Sequence, residues 1–75
     1  MVKIYSTTSC PWCKKAKGYL DSKGVSYENI NLDENMEARG EFLRLNPSGG
    51  VPTLDIDGKI VIGFDKDKID EYLKL

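Results

Sequence analysis

Two thiols three residues apart, Cys10 and Cys13, are the only cysteines in a 75-residue chain that contains no histidine. Pro11 and Trp12 stand between them, and the run Val2-Lys3-Ile4-Tyr5 before them reads as a strand. Proline is accommodated at the opening of a helix, because its missing N–H has no partner there in any case. The stretch therefore predicts strand, short polar loop, then helix, with Cys10 at the helix N-terminus. Free backbone N–H groups and the positive end of the macrodipole favour a thiolate at that point. Cys13 falls about one turn further in, within reach of a disulfide formed on Cys10. The chemistry this spacing suits is dithiol–disulfide exchange, with Cys10 as nucleophile, Cys13 as resolving thiol and Pro11 in support.

Two blander readings are weaker. A structural staple is expected to join distant elements, and closing so short a ring removes roughly 2 kcal/mol of unfolded-state freedom, against nearly 5 for a long loop. A zinc site needs four ligands, and two cysteines without histidine supply half of them unless a second chain contributes. No metal site is expected.

The scaffold around these thiols reads in chain order. Residues 2–6 form the first strand, and Ser6 to Ser9 a polar loop able to cap the first helix. That helix, from about Pro11 to Lys23, puts Cys13, Ala16 and Leu20 on one face, with Tyr19 beside them, and turns Lys14, Lys15 and Lys17 to solvent. Gly24 ends it as a left-handed cap. The alternating run Val25 to Leu32 is a second strand, and strand–helix–strand in this order implies a right-handed crossover between parallel strands. Asp33 can cap a second helix, roughly Glu34 to Leu45, burying Met36, Phe42 and Leu43. Gly40 inside it costs about 1 kcal/mol of helix propensity and marks either a close backbone approach or nothing. Asn46-Pro47-Ser48-Gly49-Gly50 breaks the chain. Strands Thr53–Asp57 and Lys59–Ile62 meet across the hairpin signal Asp57-Gly58, and Asp65 caps a last helix carrying Ile69, Tyr72 and Leu73. The order is βαβαββα, an α/β fold with a four-stranded mixed sheet flanked by three helices.

Composition excludes more than it identifies. Seventy-five residues make one small domain spanning 1–75, near the lower limit for a single core. A net charge of −1 predicts affinity neither for nucleic acid nor for an anionic membrane. No apolar run approaches the ~20 residues of a membrane span, and the first strand begins where a signal peptide would stand. With two cysteines, a reducing cytoplasm is the expected setting, and a monomer the expected state.

Cys10-Pro11-Trp12-Cys13 after the first strand, Val51-Pro52 before the third and Gly63-Phe64-Asp65 opening the last helix together resemble the glutaredoxin branch of the thioredoxin superfamily, over nearly the whole chain. The resemblance implies a thioredoxin-like fold, a cis Val51-Pro52 bond facing Cys10, and Val51 backbone groups free to pair with an extended peptide or glutathione. An X-Pro bond gives up only about 0.5–1 kcal/mol to be cis. Trp12 then forms a flat apolar wall beside the thiols, useful for docking a peptide or the glutathione stem. Phe64 and Asp65 either present a helix N-terminus to a carboxylate or simply cap the helix.

There are departures from the family pattern. A lysine that many glutaredoxins carry three residues before the first cysteine is Thr7 here. Their threonine before the Val-Pro pair is Gly50, and a nearby basic or amide residue is replaced by Ser48-Gly49. The ending Gly-Phe-Asp-Lys-Asp-Lys-Ile lacks the Gly-Gly-x-Asp-Asp pattern and is similar to small redoxins that draw electrons from thioredoxin reductase and serve ribonucleotide reductase. The resemblance thus implies a cytoplasmic thiol–disulfide oxidoreductase reducing protein or glutathione mixed disulfides. It holds no bound cofactor beyond a redox-active Cys10–Cys13 disulfide, with glutathione as possible co-substrate. Glutathione and thioredoxin reductase remain alternative reductants. A third alternative is an iron–sulfur dimer bridged through Cys10 and two glutathiones, which Pro11 is expected to oppose by stiffening the loop.

Overall fold

The computed structural model describes residues 1–75. Seven elements succeed one another: β1 (Val2–Ser6), α1 (Pro11–Ser22), β2 (Glu28–Asn31), α2 (Ala38–Leu45), β3 (Thr53–Ile56), β4 (Lys59–Ile62) and α3 (Lys66–Leu73). The sheet order is β2-β1-β3-β4. β1 is parallel to β2 in the register Lys3 to Glu28 through Ser6 to Asn31 and antiparallel to β3, with Ile4 opposite Leu54. β3 and β4 close an antiparallel hairpin. This is the expected thioredoxin-like α/β arrangement.

Strand alternation assigns the helices to the two faces of the sheet. Val2, Ile4, Leu54, Ile56 and Val61 project to one side, where Ala16 and Leu20 of α1 and Ile69 of α3 complete a buried cluster. Tyr5, one residue out of phase with Ile4, points to the other side and joins Ile30, Leu32 and Phe42 of α2. The central strand β1 is thus covered twice, which holds the loop after it between two packed layers. The Tyr5 ring packs on Phe42 at 5.7 Å between centroids. Burial, followed by the charge of Glu41, pushes its hydroxyl up to about 12.

Two ends are set by left-handed residues. Gly24 has φ +69°, its N–H donates to Asp21 and that of Val25 to Leu20, which is the paired bonding of a Schellman stop. Asp57 and Gly58 have φ +51° and +90°, as a two-residue I′ hairpin requires. The N-terminal ammonium pairs with the Asp57 carboxylate.

Two boundaries and one cap differ from the sequence expectation. β2 starts at Glu28 rather than Val25, because the Val25 N–H is spent on the α1 stop. α2 starts at Ala38 rather than Glu34: residues 32–37 run through turns, with Asn35 accepting from Ala38 N. Asp33 does not cap that helix; its carboxylate receives the Thr8 N–H at 2.8 Å. Met36, in a turn, and Leu43, off the inward row Ala38, Phe42 and Leu45, are expected inside but are 64% and 49% exposed, and only Phe42 of the three is buried. Nothing lies within 4 Å of a Cβ built at Gly40, so no close approach explains that glycine.

α1 and α3 are joined by a bond from the Tyr19 hydroxyl to the Asp70 carboxylate, with the Lys66 ammonium 3.4 Å from the second oxygen. The Tyr19 bond, with Lys66 assisting, holds Asp70 below the ordinary carboxylate range. A carboxylate with a lowered folded-state pKa contributes stability above its unfolded value, and that contribution disappears as pH falls through the folded value. Asp70→Asn is therefore expected to lower Tm clearly at pH 7 and little at pH 2.5; equal losses at both pH values count against this linkage.

Candidate active site

Cys10 is the N-cap of α1, with extended backbone at φ −136° and ψ 98°, and Pro11 occupies the first helical position. Its sulfur takes the place usually filled by a serine or aspartate oxygen, accepting the Cys13 N–H at 3.1 Å. Its carbonyl accepts from Lys14 N. No acidic residue stands in the first turn, so this sulfur alone answers the positive end of the helix. Cys10 and Cys13 are joined as a disulfide, their Cα atoms 5.2 Å apart.

The two sulfurs differ in reach. Cys13 is wholly buried against the sheet, whereas Cys10 keeps 7% of its surface exposed. That exposure is narrower than the open presentation the helix N-terminus leads one to expect. It is still the one thiol of the pair that a solvent-borne molecule can touch.

A groove of about 280 Å³ is lined by Trp12, Val51, Pro52, Gly63 and Phe64. It brings together residues that the sequence separates by half its length. Trp12 is 57% exposed and carries the Lys15 ammonium 4.4 Å from its ring centroid, the environment of a surface wall and not of a core side chain. The Val51–Pro52 bond is cis. The Val51 N–H and C=O enter none of the turn, loop or side-chain hydrogen bonds of residues 46–53. Gly63, at φ +79°, donates its N–H to the Pro52 carbonyl at 2.8 Å; the positive φ lets the chain turn there beneath Phe64 without a Cβ in the way. Phe64 packs on Tyr19 at 5.7 Å. Asp65 is not among the lining residues. Its carboxylate accepts from Lys68 N at 3.2 Å, as a cap of its own helix.

Sequence reasoning missed the residue that holds Val51 in place. Asn46 is 1% exposed, and its amide donates to Gly50 O at 3.1 Å and Thr53 Oγ1 at 3.0 Å. Its Oδ1 accepts from Ser48 N at 3.2 Å and from the Ser48 hydroxyl, while Thr53 Oγ1 donates to Gly50 O. The breaker cluster is thus a loop wound on one amide. The available signal was an asparagine opening a Pro-Ser-Gly-Gly run, the composition of an Asx turn. On the other flank, Thr8 is fastened to Asp33 and Ser6 Oγ donates to Asn29 at 2.8 Å, tying the loop before Cys10 to the end of β2. Asp55 and Asp57, neither of which the sequence could orient, are engaged at the hairpin with Gly58 N and the N-terminus.

The family model described as Glutaredoxin matches residues 2–61. The chain belongs to the glutaredoxin family. It is 46% identical over 74 residues to an uncharacterized glutaredoxin-like 8.6 kDa protein in the rubredoxin operon of Clostridium pasteurianum, covering 99% of each chain. To glutaredoxin 3 of Escherichia coli it is 38% identical over 64 residues, covering 85% of this chain and 77% of the relative. Among solved structures, Methanosarcina acetivorans methanoredoxin is similar with a TM-score of 0.90 at 32% identity, covering 99% of this chain and 84% of the other. Glutaredoxin membership and the Cys10–Cys13 pair support a thiol–disulfide oxidoreductase with a redox-active disulfide. No helix is long and apolar enough to cross a membrane.

The loop and the helix start can each be tested. Asn46→Ala strands buried partners and should lower unfolding stability by about 2–3 kcal/mol, read as a shifted urea midpoint with unchanged slope. In the reduced protein, the pH dependence of alkylation should place Cys10 below the ~8.5 of a model thiol; titration at 8.5 would show that the helix end contributes nothing.

Proposed function

We propose that the chain reduces disulfides of protein substrates, and mixed disulfides with glutathione, by a two-thiol cycle in which Cys10 attacks and Cys13 resolves. The observation that carries the reading is the unequal burial of the two sulfurs at the head of one helix. The Cys10 thiolate attacks one sulfur of the substrate disulfide, forming a mixed disulfide and expelling the other sulfur as a thiolate. The Cys13 thiolate then attacks the Cys10 sulfur, the substrate leaves as its second thiolate, and the Cys10–Cys13 bond closes. Two electrons pass from the dithiol to the substrate, and a reductant of the glutathione or thioredoxin-reductase class returns them. The groove formed by Trp12, Val51, Pro52 and Phe64 holds the substrate segment, with the unpaired Val51 backbone offering a strand-like hydrogen-bond pair. Asp65 acts by keeping the start of α3, and with it Phe64, in place. A reducing cytoplasm is the compartment that suits this cycle.

Lowering the Cys10 pKa changes attack and departure unequally. A thiol of pKa ~6 is about thirty-fold richer in thiolate at pH 7 than one of ~8.5, yet loses about ten- to eighteen-fold in nucleophilicity at a Brønsted slope of 0.4–0.5. The net gain in attack is a few-fold. The larger benefit falls where Cys10 is itself the leaving group, as when a glutathione thiolate attacks the glutathione sulfur of a Cys10–glutathione mixed disulfide, forming oxidised glutathione and releasing Cys10 as a stable thiolate, which leaves faster.

Thr7, Ser48 and Gly50 are neutral where many glutaredoxins carry groups that hold the carboxylates of glutathione. They favour thioredoxin reductase over glutathione as the electron source. Insulin and a glutathione mixed disulfide, each assayed with either reductant, test both parts of the reading. Cys10→Ser is expected to abolish turnover of both substrates, and Cys13→Ser to accumulate a covalent complex with a protein substrate through Cys10. Retained activity in Cys10→Ser would end the proposal.

A further inference from the structure

A second groove, of about 250 Å³, is lined by Leu32, Phe42, Leu43 and Val51 together with Thr7, Arg39 and Gly49. Val51 belongs to both grooves, so the second one adjoins, across a single residue, the groove that Trp12, the residue between the two cysteines, helps to line. Its floor is Leu32 and Phe42, each 4% exposed, and its wall is Leu43, left 49% exposed. A Cβ at Gly49 would lie 3.6 Å from Leu43 Cδ2, so the glycine backbone backs directly onto that wall. The volume is below that of a pocket for a drug-sized molecule and suits one large side chain.

Charge decides between occupants. Glutathione brings two carboxylates and no apolar side chain. The only cation at this groove is Arg39, and it is already engaged: Nε donates to Leu32 O at 2.9 Å and the guanidinium pairs with Asp33 at 3.7 Å. Asp33 is held in turn by the Thr8 N–H. An incoming carboxylate would meet Asp33 and compete with it for the same guanidinium. An aliphatic side chain meets Leu32, Phe42, Leu43 and Val51 and displaces only water from them.

We propose that this groove binds an apolar side chain next to the target cysteine of an extended protein segment, giving the chain a preference for protein disulfides over glutathione disulfide. The inference rests on the two-thiol reading above and adds to it the substrate class. A segment crossing the unpaired Val51 backbone as an added strand alternates its side chains, and the covalent bond to Cys10 fixes its register. Leu43 is then a specificity-determining residue that the redox chemistry itself does not need.

The test uses three substrates of the reduced full-length protein: a capped tripeptide with cysteine flanked by two leucines, the same peptide with two serines (both as disulfide-linked dimers), and oxidised glutathione. Each rate is divided by that of uncatalysed reduction by dithiothreitol. The leucine peptide should be reduced about 10-fold faster than the serine peptide, and oxidised glutathione no faster than the serine peptide. Leu43→Ser should lower that preference to about 3-fold or less while leaving the serine-peptide rate within about two-fold, and Leu43→Met should restore it. A preference that survives Leu43→Ser, an equal loss on both peptides, or glutathione as the fastest substrate overturns the groove assignment and leaves the two-thiol cycle standing. Absence of reduction with all three substrates overturns both.

Discussion

One hydrogen bond organises the molecule's chemistry: the Cys13 N–H donated to the sulfur of Cys10. A helix must satisfy its first N–H groups somehow, and most do so with an oxygen that has no further use. Here the group that completes the helix is a sulfur of the Cys10–Cys13 disulfide. If Cys10 is the attacking thiolate proposed above, stabilising the fold and stabilising a negative sulfur become the same interaction, and the start of α1 cannot fray without altering the reactivity of the thiol.

The rest of the fold keeps that helix start where a partner can reach it. β1 is buried on both faces and delivers the loop from a fixed direction. The Thr8–Asp33 and Ser6–Asn29 bonds hold the loop from the β2 side. Asn46 winds the opposite loop so that Val51 and Pro52 stand beside Trp12 and Phe64. Few large side chains are committed to this; most of the positioning is by backbone donors and short polar groups, which suits a chain too small to surround its site with a second layer of core.

Regular elements were legible in the sequence where one local force dominated. The strand–Cys–Pro–helix start, the Gly24 stop, the Asp57-Gly58 hairpin and the Asp65 cap each follow from a residue with a single structural preference. The family's motif residues Trp12, Val51, Pro52 and Phe64 stand together around one groove. The segments that resisted reading lie between Val25 and Ala38 and at Asn46. There the outcome depended on tertiary competition: Asp33 had a helix N–H and the Thr8 N–H to choose from, and the second is its partner. In α2 the inward row is Ala38, Phe42 and Leu45, spaced i, i+4, i+7, and Leu43, one position past Phe42, lies about 100° round the helix and partly outward. Asn46 carries no mark distinguishing a buried organising amide from an ordinary turn residue, since that distinction lies in Gly50 and Thr53 folding back onto it.

The burial of Cys13 has a kinetic consequence. On the proposed cycle a partner arriving from solvent finds one sulfur, whether it comes to deliver electrons or to collect them, so donor and acceptor must use the same doorway in turn. Each half of the cycle ends with the doorway empty before the other begins. Under that constraint an excess of either partner becomes an inhibitor of its counterpart.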